Sequence, residues 1–295
     1  MNVGNNPGDQ TIGPGQSRTY TFYAPPQYGE TAAIVWDWGN FINNVRDGLF
    51  GGIIVGPKGS KYRDPKTGED VSMKNAWQVD VIVDRSIPEN ASRSDFRDAS
   101  LFFQDEDNII GTAFMPYIQQ IAGLTGVNYR TEPWSFREEK GCDLGNMFTP
   151  CVVGESEPVT PTIMTHAGDP VRIHVFGAFN EQNQVFSLEG HEWPLKPNME
   201  GADMLSSNEF GSSENMDVFL KEGAGGPFHL PGDYLWQNHR MPYTQAGQWG
   251  YLRVLPVGDR RILPLNSGGP GGRTAELPQE RNTIPISMLE IEKGK

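Results

Sequence analysis

The chain repeats one pattern, and that pattern limits what it can fold into. Near the C-terminus, Pro231-Gly232-Asp233 turns into an apolar strand, Tyr234 to Trp236, and Gly247-Gln248-Trp249-Gly250 opens a second, Tyr251 to Leu255. Near the N-terminus, Gly29-Glu30 turns into Ala32-Ala33-Ile34-Val35-Trp36, and Gly48-Leu49-Phe50-Gly51-Gly52-Ile53-Ile54-Val55 follows, opened by glycines. Short apolar runs bounded by glycine and proline are strand signals. Their recurrence in one order points to duplicated domains. The N-terminal block has only the second half of the unit, so residues 1–73 hold too few strands to close a core alone. We therefore expect an all-β protein with three parts: a half-domain over 1–73, a complete domain over 74–258 and an extended tail over 259–295.

The complete domain is built from further period-two runs. Trp77 to Val83, Ser100 to Phe103, Thr162 to Met164, Val171 to Phe176, Gln184 to Leu188 and Met216 to Leu220 read as strands. Arg18 to Tyr23 reads as another in the N-terminal block, and Lys58 to Glu69 as a charged link. Ile118 to Leu124 is the one short helix expected. Asn266 to Gly272 is a flexible linker, and the polar tail beyond it has one apolar patch, Ile284 to Leu289, of a kind that lies over a partner or is disordered.

Composition removes several functions. The 295 residues carry a formal net charge of −13, which repels phosphate backbones and argues against nucleic-acid binding. No apolar run approaches the ~20 residues of a membrane span. The start, Met1 to Pro7, is polar and has no signal-peptide core. A nucleophile elbow, a phosphate loop and a zinc signature are all missing. The two cysteines, Cys142 and Cys151, sit in a polar loop. They fit a disulfide of an oxidising compartment, or else two free thiols; no histidine lies beside them to make a metal site. Asn90-Ala91-Ser92 matches a glycosylation triplet.

Together these segments resemble the cupredoxin domains of large, ceruloplasmin-like multicopper oxidases. The resemblance covers residues 10–258. It is carried by Gly48 to Val55, Phe103-Gln104-Asp105-Glu106-Asp107-Asn108, Gly168-Asp169-Pro170-Val171-Arg172-Ile173, Phe186 to Trp193 and the closing segment Gly232 to Val254. It implies a Greek-key β-sandwich in each domain. It also implies, in the parent family, a type 1 copper and a trinuclear cluster that oxidise substrates with dioxygen.

The ligands do not carry over. Asn238 stands at the cysteine position, Gln237 and Tyr243 at histidine positions and Gln248 at the methionine position, leaving only His239. On the family's histidine-rich strand the ligand places fall on Gln184, Ser187 and Glu189, with His191 one step past them. In the first copy Trp36-Asp37-Trp38 replaces a His-x-His strand end. A blue copper site needs a thiolate and two imidazoles in trigonal array, so no cofactor is expected on this chain and copper is expected elsewhere in the assembly.

The remaining candidates are weaker. His239 and His191 could face each other as a metal pair. Asp105 to Asn108 offers oxygen ligands suited to calcium, or a solvated turn. His174 reads as a packed or rim residue, and His166 and His229 as exposed beside turns. Trp36, Trp38, Trp193, Trp236 and Trp249 read as filler of vanished metal sites or as core. The expectation is a copper-free structural part of an extracytoplasmic oxidase assembly acting on a metal ion or an organic reductant. Another polypeptide would complete residues 1–73. The alternatives are a copper-binding subunit using His239 and His191, and a non-enzymatic recognition module.

Overall fold

The computed structural model describes residues 11–265, apart from 26, 28, 38, 73, 108–122, 150, 152–156 and 198. Its elements are β1 (Thr31–Trp36), α1 (Phe41–Arg46), β2 (Phe50–Val55), β3 (Lys61–Arg63), β4 (Gln78–Ile82), β5 (Phe96–Asp107), β6 (Gly123–Val127), α2 (Trp134–Glu139), β7 (Thr162–His166), β8 (Val171–Asn180), β9 (Gln184–Leu188), β10 (Trp193–Pro194), β11 (Met204–Leu205), β12 (Ser207–Phe210), β13 (Asn215–Phe219), β14 (Gly232–Asn238), α3 (Met241–Gln245) and β15 (Trp249–Leu255).

Two sheets face each other. One runs β12-β9-β14-β15-β7; the other runs β13-β8-β5-β4-β3, with β6 also on β5. The chain crosses between them at β6–β7, β7–β8, β8–β9, β12–β13 and β13–β14, and the pairs β5–β8 and β7–β15 are parallel. Alternation sets the core. Ala99, Leu101 and Phe103 of β5, and Val171, Ile173 and Val175 of β8, point between the sheets. There they meet Phe186, Phe210, Trp236 and Leu252. Phe103 packs edge-on to Phe186, Phe210 and Trp236 at centroid distances of 6.2, 5.3 and 6.0 Å. Each buried large side chain stabilises by about 1.5–3 kcal/mol.

Strands β1 and β2 form their own antiparallel pair. They lie on the outer face of the six-stranded sheet. Phe50 stacks on Phe102 at 5.7 Å, and Asn215 Nδ2 donates to Ala32 O at 3.0 Å. Gly52 is needed there, because a Cβ would stand 2.9 Å from the Phe176 ring. A groove of about 280 Å³ remains between β2 and β4–β5, lined by Gly52, Ile54, Tyr62, Trp77, Val79 and Asp98 among others.

Several details differ from the sequence reading. Arg18 to Tyr23 forms no strand, and Phe22 and Tyr23 are exposed. The link Lys58 to Glu69 supplies β3, which pairs with β4 and so belongs to the large sandwich. The helix expected over Ile118 to Leu124 lies outside the described residues except Gly123 and Leu124, which open strand β6. Short helices α1, α2 and α3 occur instead. Residues 266–295 also lie outside the described residues.

The two cysteines are bonded, with Cα atoms 5.6 Å apart. Asn90 is buried and its amide donates to Lys58 O and Asp84 O, so the glycosylation triplet presents no free acceptor.

Candidate functional site

The hairpin β14–α3–β15 builds one end of the sandwich. Gly247, at φ 111°, makes the turn into β15 that no other residue adopts easily. The turn is closed by Gly247 N to Thr244 O at 3.0 Å and Gln248 N to Tyr243 O at 2.9 Å. Asn238 N then donates to Gln248 O at 2.9 Å. This short circuit brings Asn238, Tyr243 and Gln248 together, and all three are buried. Neighbouring β9 adds Gln184 from across the sheet.

The result is a closed amide cluster. Asn238 Nδ2 donates to Gln248 Oε1 at 2.6 Å and to Gln184 Oε1. Its Oδ1 accepts from Val185 N at 3.1 Å and Arg240 N at 3.2 Å. Those bonds use the carboxamide's two donors and two lone pairs, and they fix which way it points. Gln248 Nε2 goes to Gln104 O at 3.0 Å, and Gln184 Nε2 to Asp105 Oδ1 at 2.6 Å. So the positions carried over for the cysteine, the methionine and one histidine do converge, and α3 sets Tyr243 beside them. Their side chains, however, are turned toward one another. No thiolate or imidazole is present and the acceptor oxygens are engaged, so a type 1 copper does not fit.

Asp105 is the unexpected member. It is neither a calcium ligand in a loop nor part of a solvated turn. It sits buried in β5 and accepts from Asn180 Nδ2 at 2.8 Å and Glu181 N at 3.2 Å. Burial pushes its carboxyl up to about 7, against the pull of these hydrogen bonds. The acidic run was visible in the sequence, but its alternation in a long strand was not, because β5 extends well beyond Phe103. The side chains of Glu106 and Asp107, and Asn108 altogether, lie outside the described residues.

The hairpin β1–α1–β2 repeats this geometry bond for bond. Gly48, at φ 103°, stands where Gly247 does. Gly48 N donates to Val45 O at 3.1 Å, Leu49 N to Asn44 O at 2.8 Å and Asp37 N to Leu49 O at 3.2 Å. Trp36 pairs with Phe50 as Gln237 does with Trp249. Asp37 is thus the counterpart of Asn238, Asn44 of Tyr243 and Leu49 of Gln248. Asp37 Oδ1 accepts from Gly39 N at 2.6 Å, as Asn238 Oδ1 does from Arg240 N, and Asn44 Nδ2 donates to Asp37 Oδ2 at 3.1 Å.

The histidines fall in different places. His239 is exposed at the end of β14. His191 packs on Tyr234 near the start of the same strand, at 4.6 Å between rings. Four residues of strand, about 13 Å, separate Tyr234 from Asn238, so the expected His191–His239 pair is not assembled. Both nitrogens of His191 are also engaged, Nδ1 with Glu189 O at 2.8 Å and Nε2 accepting from Gly225 N at 2.9 Å. Burial lowers its pKa, in keeping with a neutral ring.

His166 is buried rather than exposed. Its Nδ1 accepts from Arg97 at 3.2 Å, so Nε2 carries the proton and donates to Asp259 O at 2.9 Å. Arg97 also holds Asp169, Asp80 and Leu263 O, tying the segment leaving β15 onto the sheet. His229 is exposed, at φ 49°. His174 is buried under the N-terminal hairpin side of the sheet, between Asp217 (2.6 Å) and Asp98 (3.2 Å). Burial alone would lower its pKa, but Asp98 and Asp217 outweigh it and push it to about 9.

No protein-family model and no curated protein matches the chain. Solved structures do. A blue copper oxidase from Nitrosomonas europaea aligns with 84% of this chain and 62% of its own, at 18% identity and a TM-score of 0.48. A multicopper oxidase aligns over 83% and 62%, at 15% identity and a TM-score of 0.46. A copper nitrite reductase from Nitrosomonas europaea aligns over 85% and 70%, at 16% identity and a TM-score of 0.49. The fold is a two-sheet β-sandwich. The chain spans less than two thirds of the length of the first two of these proteins.

Proposed function

We propose that this chain is a copper-free structural part of an extracytoplasmic oxidoreductase assembly whose copper sites lie on other domains or chains. The observation that supports this most is Asn238, whose carboxamide has its whole hydrogen-bonding capacity taken up by Gln184, Gln248, Val185 and Arg240. A cluster closed in this way holds the end of the sandwich together without a metal. The Cys142–Cys151 disulfide supports an oxidising compartment. The two-stranded N-terminal hairpin, a half of the unit that closes the chain, supports attachment to another polypeptide. The substrate oxidised by the assembly would be a reduced metal ion or an organic reductant.

A second reading rests on His239. It is exposed, and no described residue engages its ring. Such a histidine could serve a copper shared across an interface. Elemental analysis after copper loading and desalting separates the two. The structural reading expects less than about 0.1 copper per chain and no intense visible charge-transfer band. Stoichiometric copper that is lost in His239→Ala would replace it with the second reading.

A further inference from the structure

The hairpin β1–α1–β2 covers only part of the outer face of the six-stranded sheet. Alternation along β5 turns Asp98, Ser100, Phe102 and Gln104 to this face, opposite to the core residues Ala99, Leu101 and Phe103. Phe102 lies under Phe50, and the Gln104 side chain donates to Arg46 O of α1. Asp98 and Ser100 fall beyond this cover and line the groove of about 280 Å³ between β2 and β4–β5. Both are well sunk into the surface, at 4% and 6% exposure. The groove therefore ends on two polar side chains that water reaches only through it.

Their hydrogen-bonding capacity is not used up. Asp98 accepts from His174 Nε2 at 3.2 Å, and His174 Nδ1 donates to Asp217 at 2.6 Å. An ionised carboxylate has about four lone-pair sites, so Asp98 can accept more. Among the described residues none hydrogen-bonds the Ser100 hydroxyl or the Tyr62 hydroxyl, and both residues line the same groove. The other walls are apolar: the Trp77 ring, Ile54 and Val79. Trp77 packs against the main core, and Tyr62 against Val81, Val83 and Phe96, so both rings are held in place before a ligand arrives.

The charges around Asp98 select the ligand. His174, between two aspartates, is held as a cation with a pKa of about 9. Arg172 is attracted to the same carboxylate, and Lys74 also lines the groove. A cationic ligand would stand against all three, and an anion would meet Asp98. A neutral hydroxyl donor meets neither penalty. Several hydroxyls are needed to use Asp98, Ser100 and Tyr62 together, and an apolar ring face is needed to cover Trp77.

We propose that this groove binds a neutral polyol of one ring, a monosaccharide, with hydroxyls donating to Asp98 and exchanging hydrogen bonds with Ser100 and Tyr62, and with its C–H face on Trp77. A volume of about 280 Å³ is at the small end of ligand pockets and suits one ring rather than a chain. The site does not depend on the structural role proposed above: Asp98 and the cluster's Asp105 point to opposite faces of β5.

The test titrates the isotope-labelled full chain with glucose, galactose and mannose in turn, and with butylamine and catechol as competing classes. Nuclear magnetic resonance follows the Trp77 indole N–H and the amides of Asp98 and Ser100. The expected result is a saturable shift at these signals with at least one sugar, with Kd on the order of 1 mM for a site of so few polar contacts. Ser100→Ala and Tyr62→Phe each remove a hydroxyl that no described residue engages, so the fold should persist. Each should weaken sugar binding about fivefold, the size of one neutral hydrogen bond. Three results would overturn the proposal. No sugar gives a saturable shift up to about 100 times that Kd. Sugar affinity is unchanged in either variant. Or butylamine or catechol binds at the same signals more tightly than every sugar, which assigns the groove to a cation or to a phenol.

Discussion

Leu49 and Gln248 occupy one position in two copies of the same hairpin, and only Gln248 is covered. Leu49 N bonds to Asn44 O at 2.8 Å and Gln248 N to Tyr243 O at 2.9 Å, so the backbones agree while the environments do not. In the isolated chain Leu49→Gln should change unfolding free energy by less than about 0.5 kcal/mol, as for most exposed sites. Gln248→Leu should cost about 2–3 kcal/mol, because Asn238 Nδ2 and Gln104 O each lose a buried partner. Urea titrations of the two variants check this, and a cost at Leu49 equal to that at Gln248 would mean that the first hairpin is already covered.

Asp105 makes the fold sensitive to acid in the opposite sense to an ion-paired carboxylate. Burial holds its pKa at about 7, above the ordinary 3.8. Between those values the folded chain keeps a proton that the unfolded chain has released. Stability from this group is therefore highest at low pH and declines as pH rises from about 4 to 7. Asp105→Asn has no such titration. Its stability deficit relative to wild type should be about 2–3 kcal/mol larger at pH 5 than at pH 8. Equal deficits in urea at the two values would show that Asp105 is ionised throughout.

His174 works in the other direction. Its pKa of about 9 exceeds the unfolded 6.5 because Asp98 and Asp217 flank it despite burial. A base whose pKa is raised stabilises fully below the unfolded value, and the contribution is lost as pH climbs through about 9. Wild type should lose about 2–3 kcal/mol between pH 6.5 and 9.5 through this group, and His174→Gln should remove that loss. Unfolding midpoints that fall equally in both proteins over this range would transfer the effect to other groups.

How much of this was legible in the sequence depends on range. The strands Val171 to Phe176 and Gln184 to Leu188 could be read because period-two alternation is local and both lie in the sandwich. The duplication could be read because glycine at positive φ is needed at both Gly48 and Gly247. Arg18 to Tyr23 misled because alternation reports a capacity to form a strand and not the strand itself. The convergence of Gln184 with Asn238 was marked by ligand positions carried from a family. The join to Asp105 was not, since it needs β5 to run on to Asp107 and pass beneath β9. His166 was misplaced for a similar reason: its partners Arg97 and Asp259 are distant in sequence and meet only where the chain leaves β15.

The amide cluster also sets what it would take to install copper. One ligand cannot do it, because a blue site needs a thiolate and two imidazoles at once. Asn238→Cys alone would place a sulfur among amides, and Gln184→His or Tyr243→His alone would place an imidazole without a thiolate. The triple variant Asn238→Cys, Gln184→His, Tyr243→His puts all three on positions that the hairpin and β9 already bring together. Asp105, which now accepts from Gln184 Nε2 at 2.6 Å, would be placed to accept from the other nitrogen of a histidine at 184 and hold it in orientation. Adding Cu(II) to the triple variant should therefore give an intense sulfur-to-copper absorption, absent from wild type and from each single variant. Asp105→Asn in the triple background should weaken copper affinity about 10–100-fold. A colourless triple variant that remains folded by circular dichroism would show that these positions, though adjacent, do not point at a common centre.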